Sequence, residues 1–232
     1  MIELQNITKA YYFQGQPKFI ARGINATFPS GTSIGLLGRN GAGKSTLLQI
    51  IAGSLNADRG RVLVSGTISW PIGLTGCIHP ELTGAQNVRF IARIYGVDTD
   101  ELVDFVGDFA ELGNNFYQPV RNYSSGMRAR LNFGMSMGIR FDTYLIDEVS
   151  AVGDARFKQK SRNLFFERMS KSGAIMVTHS EGLMKSMCTA GAVLENGHLT
   201  LYDNVEEAIE ASARNMLGAG YKRSNAGEDD DD

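Results

Sequence analysis

Three short segments carry residue types that could work on a polyphosphate. Gly38 to Thr46 read GRNGAGKST, a glycine-rich turn closed by a lysine and two hydroxyl residues. Glycines at that spacing let the backbone curl until its N–H groups surround phosphate oxygens. Lys44 can then reach the β- and γ-phosphates, and the Ser45 hydroxyl can ligate Mg²⁺. Asp142 to Ser150 read DTYLIDEVS, with Asp147 and Glu148 closing an apolar run. Asp147 would hold Mg²⁺ through water, and Glu148 would polarise an attacking water. A third run, AIMVTHS, ends in His179, whose imidazole could be set against the γ-phosphate. The set as a whole implies hydrolysis of a nucleoside triphosphate.

The flanking residues predict the elements that hold these groups. TSIGLLG, before the glycine turn, is a short apolar run of the buried parallel-strand kind. KSTLLQIIAG, after it, reads as a helix closed by Gly53. Tyr144, Leu145 and Ile146 read as a second buried strand. Ligands of α/β sheets sit at the carboxyl ends of strands, so Asp147 and Glu148 should face the nucleotide and His179 should share that geometry. AVLENGHLTL, Ala192 to Leu201, alternates around Asn196-Gly197 and predicts a hairpin. NVEEAIEASARNML predicts a C-terminal helix. A further stretch, YSSGMRARLNFG over 123–134, has no acid, histidine or cysteine. Its Met127, Leu131 and Met135 recur every four positions, and Ser124 and Ser125 fall where such a helix would begin.

Composition sets outer bounds. The 232 residues, 43% of them hydrophobic, suffice for one substantial core, or one core and a small subdomain. Net charge is −2, but Glu228 to Asp232 are all acidic; without them 23 basic face 20 acidic groups, a net of +3. That is too little to argue for nucleic acid, and it would not oppose an anionic membrane surface. Cys77 and Cys188 show no metal or disulfide spacing, which fits a reducing compartment. MIELQNITKAYY lacks the apolar centre of a signal peptide, and no run approaches a membrane span. A cytosolic chain is expected, unless a partner holds it at a membrane.

The combination resembles the ATP-binding cassette ATPases. GRNGAGKST matches their Walker A motif, YLIDE their Walker B motif with its adjacent glutamate, and MVTHS their switch histidine. YSSGM is similar to their signature motif. The resemblance implies a P-loop NTPase of α/β class: a RecA-like core, an N-terminal antiparallel β layer and an inserted α-helical subdomain. It implies nucleotide contacts from Gly38, Asn40, Gly41, Gly43, Lys44, Ser45 and Thr46, and catalytic roles for Lys44, Glu148 and His179. Ser124, Ser125 and Gly126 would act in trans on ATP held by a second copy, so a homodimer closing on two ATP and Mg²⁺ is implied. Over finer stretches (TISWPIGLTG, ELTGAQNVRFIARIYG, YSSGMRARL, DEVSAVGDARFKQK) the chain resembles the ATPase subunit of capsular polysaccharide exporters, the KpsT type. Relatives of that branch export O-antigen or teichoic acid. An integral membrane permease in two copies, a periplasm-spanning export complex and a place on the cytoplasmic face of the bacterial inner membrane follow from that branch.

Some positions depart from the pattern. Met127 stands where the signature ends in glutamine. Asp154, in SAVGD, falls at the family's D-loop aspartate, although its preceding residues differ. GLTGCIHPELTG contains no Q-loop glutamine, and His79 aligns near that position. Tyr11 aligns with the aromatic that stacks on adenine, with Tyr12 as its competitor. The expected organisation is a nucleotide-binding lobe over about 1–75 and 137–200, a helical lobe over about 76–136, and an acidic tail over 216–232. The residues after the core have no aromatic platform of a sugar site, so the chain is not expected to read the polymer. A DNA- or ribosome-associated cassette protein would need a second cassette or a long coiled coil, and a regulator without turnover would not need Glu148.

Overall fold

The computed structural model describes residues 1–72, 78–148 and 155–217. It contains two sheets. β1 (Ile2–Phe13) and β2 (Gln16–Phe28) form a long hairpin, and β4 (Arg59–Val64) pairs with the other edge of β1, all antiparallel. The second sheet runs β5 (Thr143–Asp147), β6 (Gly173–Val177), β3 (Ser33–Leu37), β7 (Ala190–Glu195), β8 (His198–Tyr202). Its first four strands are parallel; β8 turns back through Asn196 and Gly197, which take φ of 49° and 83°. Both residues of that turn are left-handed, as the Asn-Gly pair predicts.

Helix α1 (Lys44–Ile51) fills the space between the sheets, touching β2 on one side and β5 and β6 on the other. Its Leu47, Leu48, Ile50 and Ile51 are buried with Ile2, Leu4 and Ile7 of β1 and Leu36 of β3. A second core lies beyond β5 and β6. There α2 (Gly84–Tyr95), α3 (Thr99–Ala110) and α4 (Ser125–Gly138) pack together, with α5 (Ala155–Met169) against α4. Period-two alternation divides the strands between the cores: Leu145, Ile175 and Val177 join the first, while Tyr144, Ile146, Ala174 and Met176 join the second. Helix α6 (Glu181–Met187) follows β6, and α7 (Val205–Leu217) follows β8.

The helices begin where local chemistry says they should. Thr83 and Gln86 form a reciprocal capping box on α2, and Asp98 accepts the N–H groups of Asp100 and Glu101 at the start of α3. α4 continues two residues past the expected lobe boundary at 136, and α7 runs on to Leu217. The segment 67–72 lies alongside β5, bridging Ile68 to Thr143 and Ile72 to Ile146. Asp142 fixes its start by accepting from the Thr67 N–H at 2.8 Å and hydroxyl at 3.0 Å, contacts that hold its carboxyl below the ordinary range. Among the described residues no helix is long and apolar enough to cross a membrane.

Leu131 of α4 is fully buried at the centre of the helical core. Leu131→Ala removes its contacts and leaves a cavity, so it should cost about 2–5 kcal/mol. Urea denaturation followed by circular dichroism measures this as a fall in the midpoint; an unchanged midpoint would show that the core does not depend on this helix.

Candidate functional site

The parallel register brings four chemical groups to one edge of the second sheet. Ser33–Gly35 pair with Ala174–Met176, and Thr143–Asp147 with Gly173–Val177. The carboxyl ends of β3, β5 and β6 therefore lie side by side, and the glycine turn, Asp147, Glu148 and His179 follow those ends. Gly38 and Gly43 are demanded twice over, by conformation and by space. Their φ values are 145° and 104°; a Cβ would come 2.3 Å from the Leu194 carbonyl oxygen at Gly38 and 2.2 Å from Ile20 Cγ2 at Gly43. α1 starts at Gly43 without a side-chain cap, which leaves the first N–H groups open to an anion.

Lys44 is folded into this turn, its ammonium donating to the carbonyls of Gly38 at 2.8 Å and Arg39 at 3.1 Å. Burial pulls its pKa down, and the nearby charges of Glu148 and Asp147 partly oppose that. Asp147 is buried, its N–H bonded to the Ile72 carbonyl at 2.9 Å. Glu148 takes a left-handed φ of 52°, unusual for a residue with a side chain. Its N–H bonds the Val177 carbonyl at 3.0 Å, which ties the bend to β6. The carboxylate Oε1 then accepts from His179 Nε2 at 2.8 Å, and both side chains remain more than half exposed. A carboxylate held in reach of solvent by an imidazole is suited to orient a water.

Ser45 is exposed and Thr46 half-buried on the first turn of α1. Among the described residues no cluster of three or more His, Cys, Asp or Glu could hold a metal alone. A serine hydroxyl and one carboxylate fit a hard cation that completes its shell with water and phosphate oxygens, the habit of Mg²⁺.

The YSSGM stretch sits on different scaffolding. Ser124 caps α4, accepting the Met127 N–H at 3.2 Å, and Tyr123 is buried beneath it. Met127 packs partly buried against the core, while Ser124, Ser125 and Gly126 are exposed. A Cβ on Gly126 would meet only Ser124 Oγ, at 3.9 Å. α4 packs on α2, α3 and α5; α1 packs on strands. Among the described residues no hydrogen bond or ion pair links this serine pair to the chain's own glycine turn.

Tyr11 and Tyr12 line a cleft of roughly 890 Å³ together with Lys18, Arg39, Asn40 and Gly41. The ring Nδ1 of His79 accepts the Glu81 N–H at 3.3 Å, and among the described residues no hydrogen bond or ion pair joins His79 to Lys44, Glu148 or His179. Asp154 lies outside the described residues. Two structural supports were invisible to spacing arguments. Buried Asn87 accepts the His79 N–H at 2.7 Å and donates to the carbonyls of His79, Leu82 and Thr83, locking 79–83 onto α2. Arg39 donates to the carbonyls of Asn215 and Met216, tying the glycine turn to the end of α7. An asparagine inside an amphipathic helix was the only available hint of the first; nothing in the sequence pointed to the second.

A strand, glycine turn and helix beside carboxylates and an imidazole on adjacent parallel strands define a P-loop nucleoside triphosphatase, here with a separate helical lobe. A family model described as ABC transporter matches residues 21–151. The chain is 46% identical to the polysialic acid transport ATP-binding protein KpsT of Escherichia coli, over 90% of this chain and 95% of that protein. It is 42% identical to the capsule polysaccharide export ATP-binding protein CtrD of Neisseria meningitidis serogroup B, over 90% and 97%. Relatives named for O-antigen and teichoic acid export match at 38% and 33%. An ATP-binding cassette solved as a dimer with ADP and phosphate shares the fold, with TM-score 0.72 at 19% identity over 88% of this chain and 99% of that one. The chain belongs to the ATP-binding cassette family of transporter ATPases. The expected α/β architecture, with its antiparallel layer and its helices, stands.

The lock made by Asn87 can be tested directly. Asn87→Ala removes the four side-chain bonds that tie His79, Leu82 and Thr83 to α2 and leaves the backbone bonds of Pro80 and Leu82 to 120–121 in place. Amide exchange at His79 and its neighbours should rise by about tenfold or more, each lost bond contributing about 0.5–1.5 kcal/mol. Hydrogen exchange read by mass spectrometry reports it; unchanged protection would mean that the backbone holds this segment unaided.

Proposed function

We propose that this chain is the ATP-hydrolysing subunit of an exporter of capsular polysaccharide. It would act at the cytoplasmic face of the bacterial inner membrane as a homodimer beneath two copies of an integral membrane permease, within an export complex spanning the periplasm. The observation that carries the ATPase reading is the Glu148–His179 contact of 2.8 Å at adjoining strand ends, with the Lys44 ammonium near enough to feel the Glu148 charge. The cargo reading rests on what the polysialic acid and capsule export relatives are named for, matched along nearly their whole length.

In this reading the backbone of Gly38, Asn40, Gly41 and Gly43 holds the phosphates, with Lys44 on the β- and γ-groups and Thr46 beside them. Ser45 and Asp147 would hold Mg²⁺, which supplies charge neutralisation when bound. Tyr11 carries the base; it faces the glycine turn across the cleft, and stacking of this kind is worth about 1–3 kcal/mol. Glu148 orients the lytic water and takes up its proton, while His179 fixes the Glu148 carboxylate and reaches toward the γ-phosphate. Ser124, Ser125 and Gly126, exposed at the positive end of α4, complete the site of the second copy. Asp154, at the position of the family's D-loop aspartate, is assigned to nucleotide binding. His79, held at the start of the helical lobe, is the residue through which the permease would read nucleotide state.

Glu148→Gln keeps shape while removing the base, so turnover should fall by about 10²-fold or more with ATP still bound. Size-exclusion chromatography with Mg-ATP should then give a dimer for the variant and mostly monomer for the parent chain. Normal turnover in the variant would remove Glu148 from this role.

The trans role of the signature is tested by a mixed dimer of Lys44→Ala with Ser124→Arg. If Ser124 serves the partner's nucleotide, both defects fall on one site and the other is intact, so one labelled ATP per dimer should be occluded. Verified mixed dimers that occlude none would mean that each signature serves its own chain.

A further inference from the structure

Lysine 18 was given no role by the motifs, yet its surroundings single it out. It lies on β2 directly opposite Tyr11 of β1, in an unbroken stretch of register from Ala10↔Phe19 to Phe13↔Gln16. Directly opposed residues of an antiparallel pair point to the same face, with Cβ atoms about 4.5–5.5 Å apart. The hairpin turn is pinned by Gln14 and Gly15, both left-handed at φ of 49° and 79°, the geometry that suits a two-residue hairpin. Its ammonium lies 3.8 Å from where a Cβ on Gly41 would stand, directly at the glycine turn.

Three cations line this cleft: Lys18, Arg22 and Arg39. Arg39 is committed to the carbonyls of Asn215 and Met216, and the Arg22 guanidinium stacks 4.1 Å from the Phe19 ring centroid. Lys9, whose ammonium lies 5.7 Å from the Tyr11 ring centroid, is paired with Asp58, and Lys160 and Lys171 pair with carboxylates elsewhere. Among the described residues Lys18 has no hydrogen-bond or ion-pair partner. An uncommitted ammonium poised at the phosphate loop, beside an exposed aromatic ring on the same strand pair, is arranged for a ligand with an aromatic base at one end and anionic oxygens at the other.

We propose that Lys18 binds the polyphosphate of the nucleotide whose base lies on Tyr11, as a second cation beside Lys44. The inference rests on the ATP site described above and adds a residue to it. As Lys18 would act on negative charge, its contribution should grow with the number of phosphates and shrink as salt screens it.

The test measures binding of labelled ATP, ADP, AMP and adenosine to the purified full chain, for the parent, Lys18→Met and Lys18→Arg. A single charge-assisted contact at a partly screened site is worth about tenfold in affinity. Lys18→Met should therefore weaken ATP by about tenfold, ADP somewhat less, AMP little and adenosine not at all, with the loss appearing in KM rather than kcat. Lys18→Arg should restore most of it, and the salt dependence of ATP binding should flatten in the Met variant. ATP affinity in Lys18→Met within twofold of the parent, or an equal loss for adenosine, would overturn the assignment. Lys44→Ala and Tyr11→Ala serve as controls on the site itself. If neither substitution weakens ATP binding relative to the parent, the whole site is misplaced and the Lys18 assignment falls with it.

Discussion

The site depends on one constraint, the parallel register of β3, β6 and β5. Ile34 beside Ile175, and Leu145 beside Ile175 on its other side, fix how far each strand runs before its chain leaves the sheet. A slip of one residue would exchange the two faces, moving Leu145 and Ile175 out of the α1 core and Tyr144 and Met176 into it. Both faces are buried and apolar, so the penalty for such a slip is one of shape: Tyr144 and Met176 would have to fit a core packed around Leu145 and Ile175. The same register sets Glu148 opposite the end of β6, where its N–H meets the Val177 carbonyl and its carboxylate meets His179. The left-handed backbone at Glu148, disfavoured by about 1–3 kcal/mol for such a residue, persists because both contacts hold it.

The two cores share a wall. β5 and β6 give one face to the helix that follows the glycine turn and the other to the helical lobe, so neither lobe can shift without being felt through the strands. α5 adds a clasp at the far side. The Lys160 ammonium caps the carbonyl end of α3 at Phe109, 3.0 Å away, and pairs with Glu111 at 2.7 Å; Arg130 of α4 lies 4.5 Å from the Phe157 ring centroid. Helix α4 is thus seated on α5, the helix that follows β5, while Ser124, Ser125 and Gly126 at its N-terminus stay exposed. Burial at one end and exposure at the other suit a helix that must present itself to something outside its own chain.

At the opposite edge of the nucleotide site, Arg39 joins the glycine turn to α7. A helix terminus leaves carbonyls without partners, and a guanidinium satisfies two of them here. The turn and the C-terminal helix are therefore parts of one hydrogen-bonded unit, although some 176 positions separate Arg39 from Asn215.

Much of this was legible in the sequence, because short-range rules governed it. The glycine turn between an apolar run and a helix, the buried strand ending in Asp147 and Glu148, the Asn196-Gly197 hairpin and the Ser124 cap are each set within a dozen residues. Periodicity and backbone preference act over that range. The pairing of Glu148 with His179, the lock of Asn87 on 79–83, the grip of Arg39 on α7 and the placing of Lys18 over Gly41 could not be read that way. Each joins residues whose approach is decided by strand register, by a helix face or by a hairpin's twist, and a polar side chain carries no periodic mark of the partner it will find. Sequence determined which chemistry the chain could perform; only the folded sheets decided which side chains stand close enough to share in it.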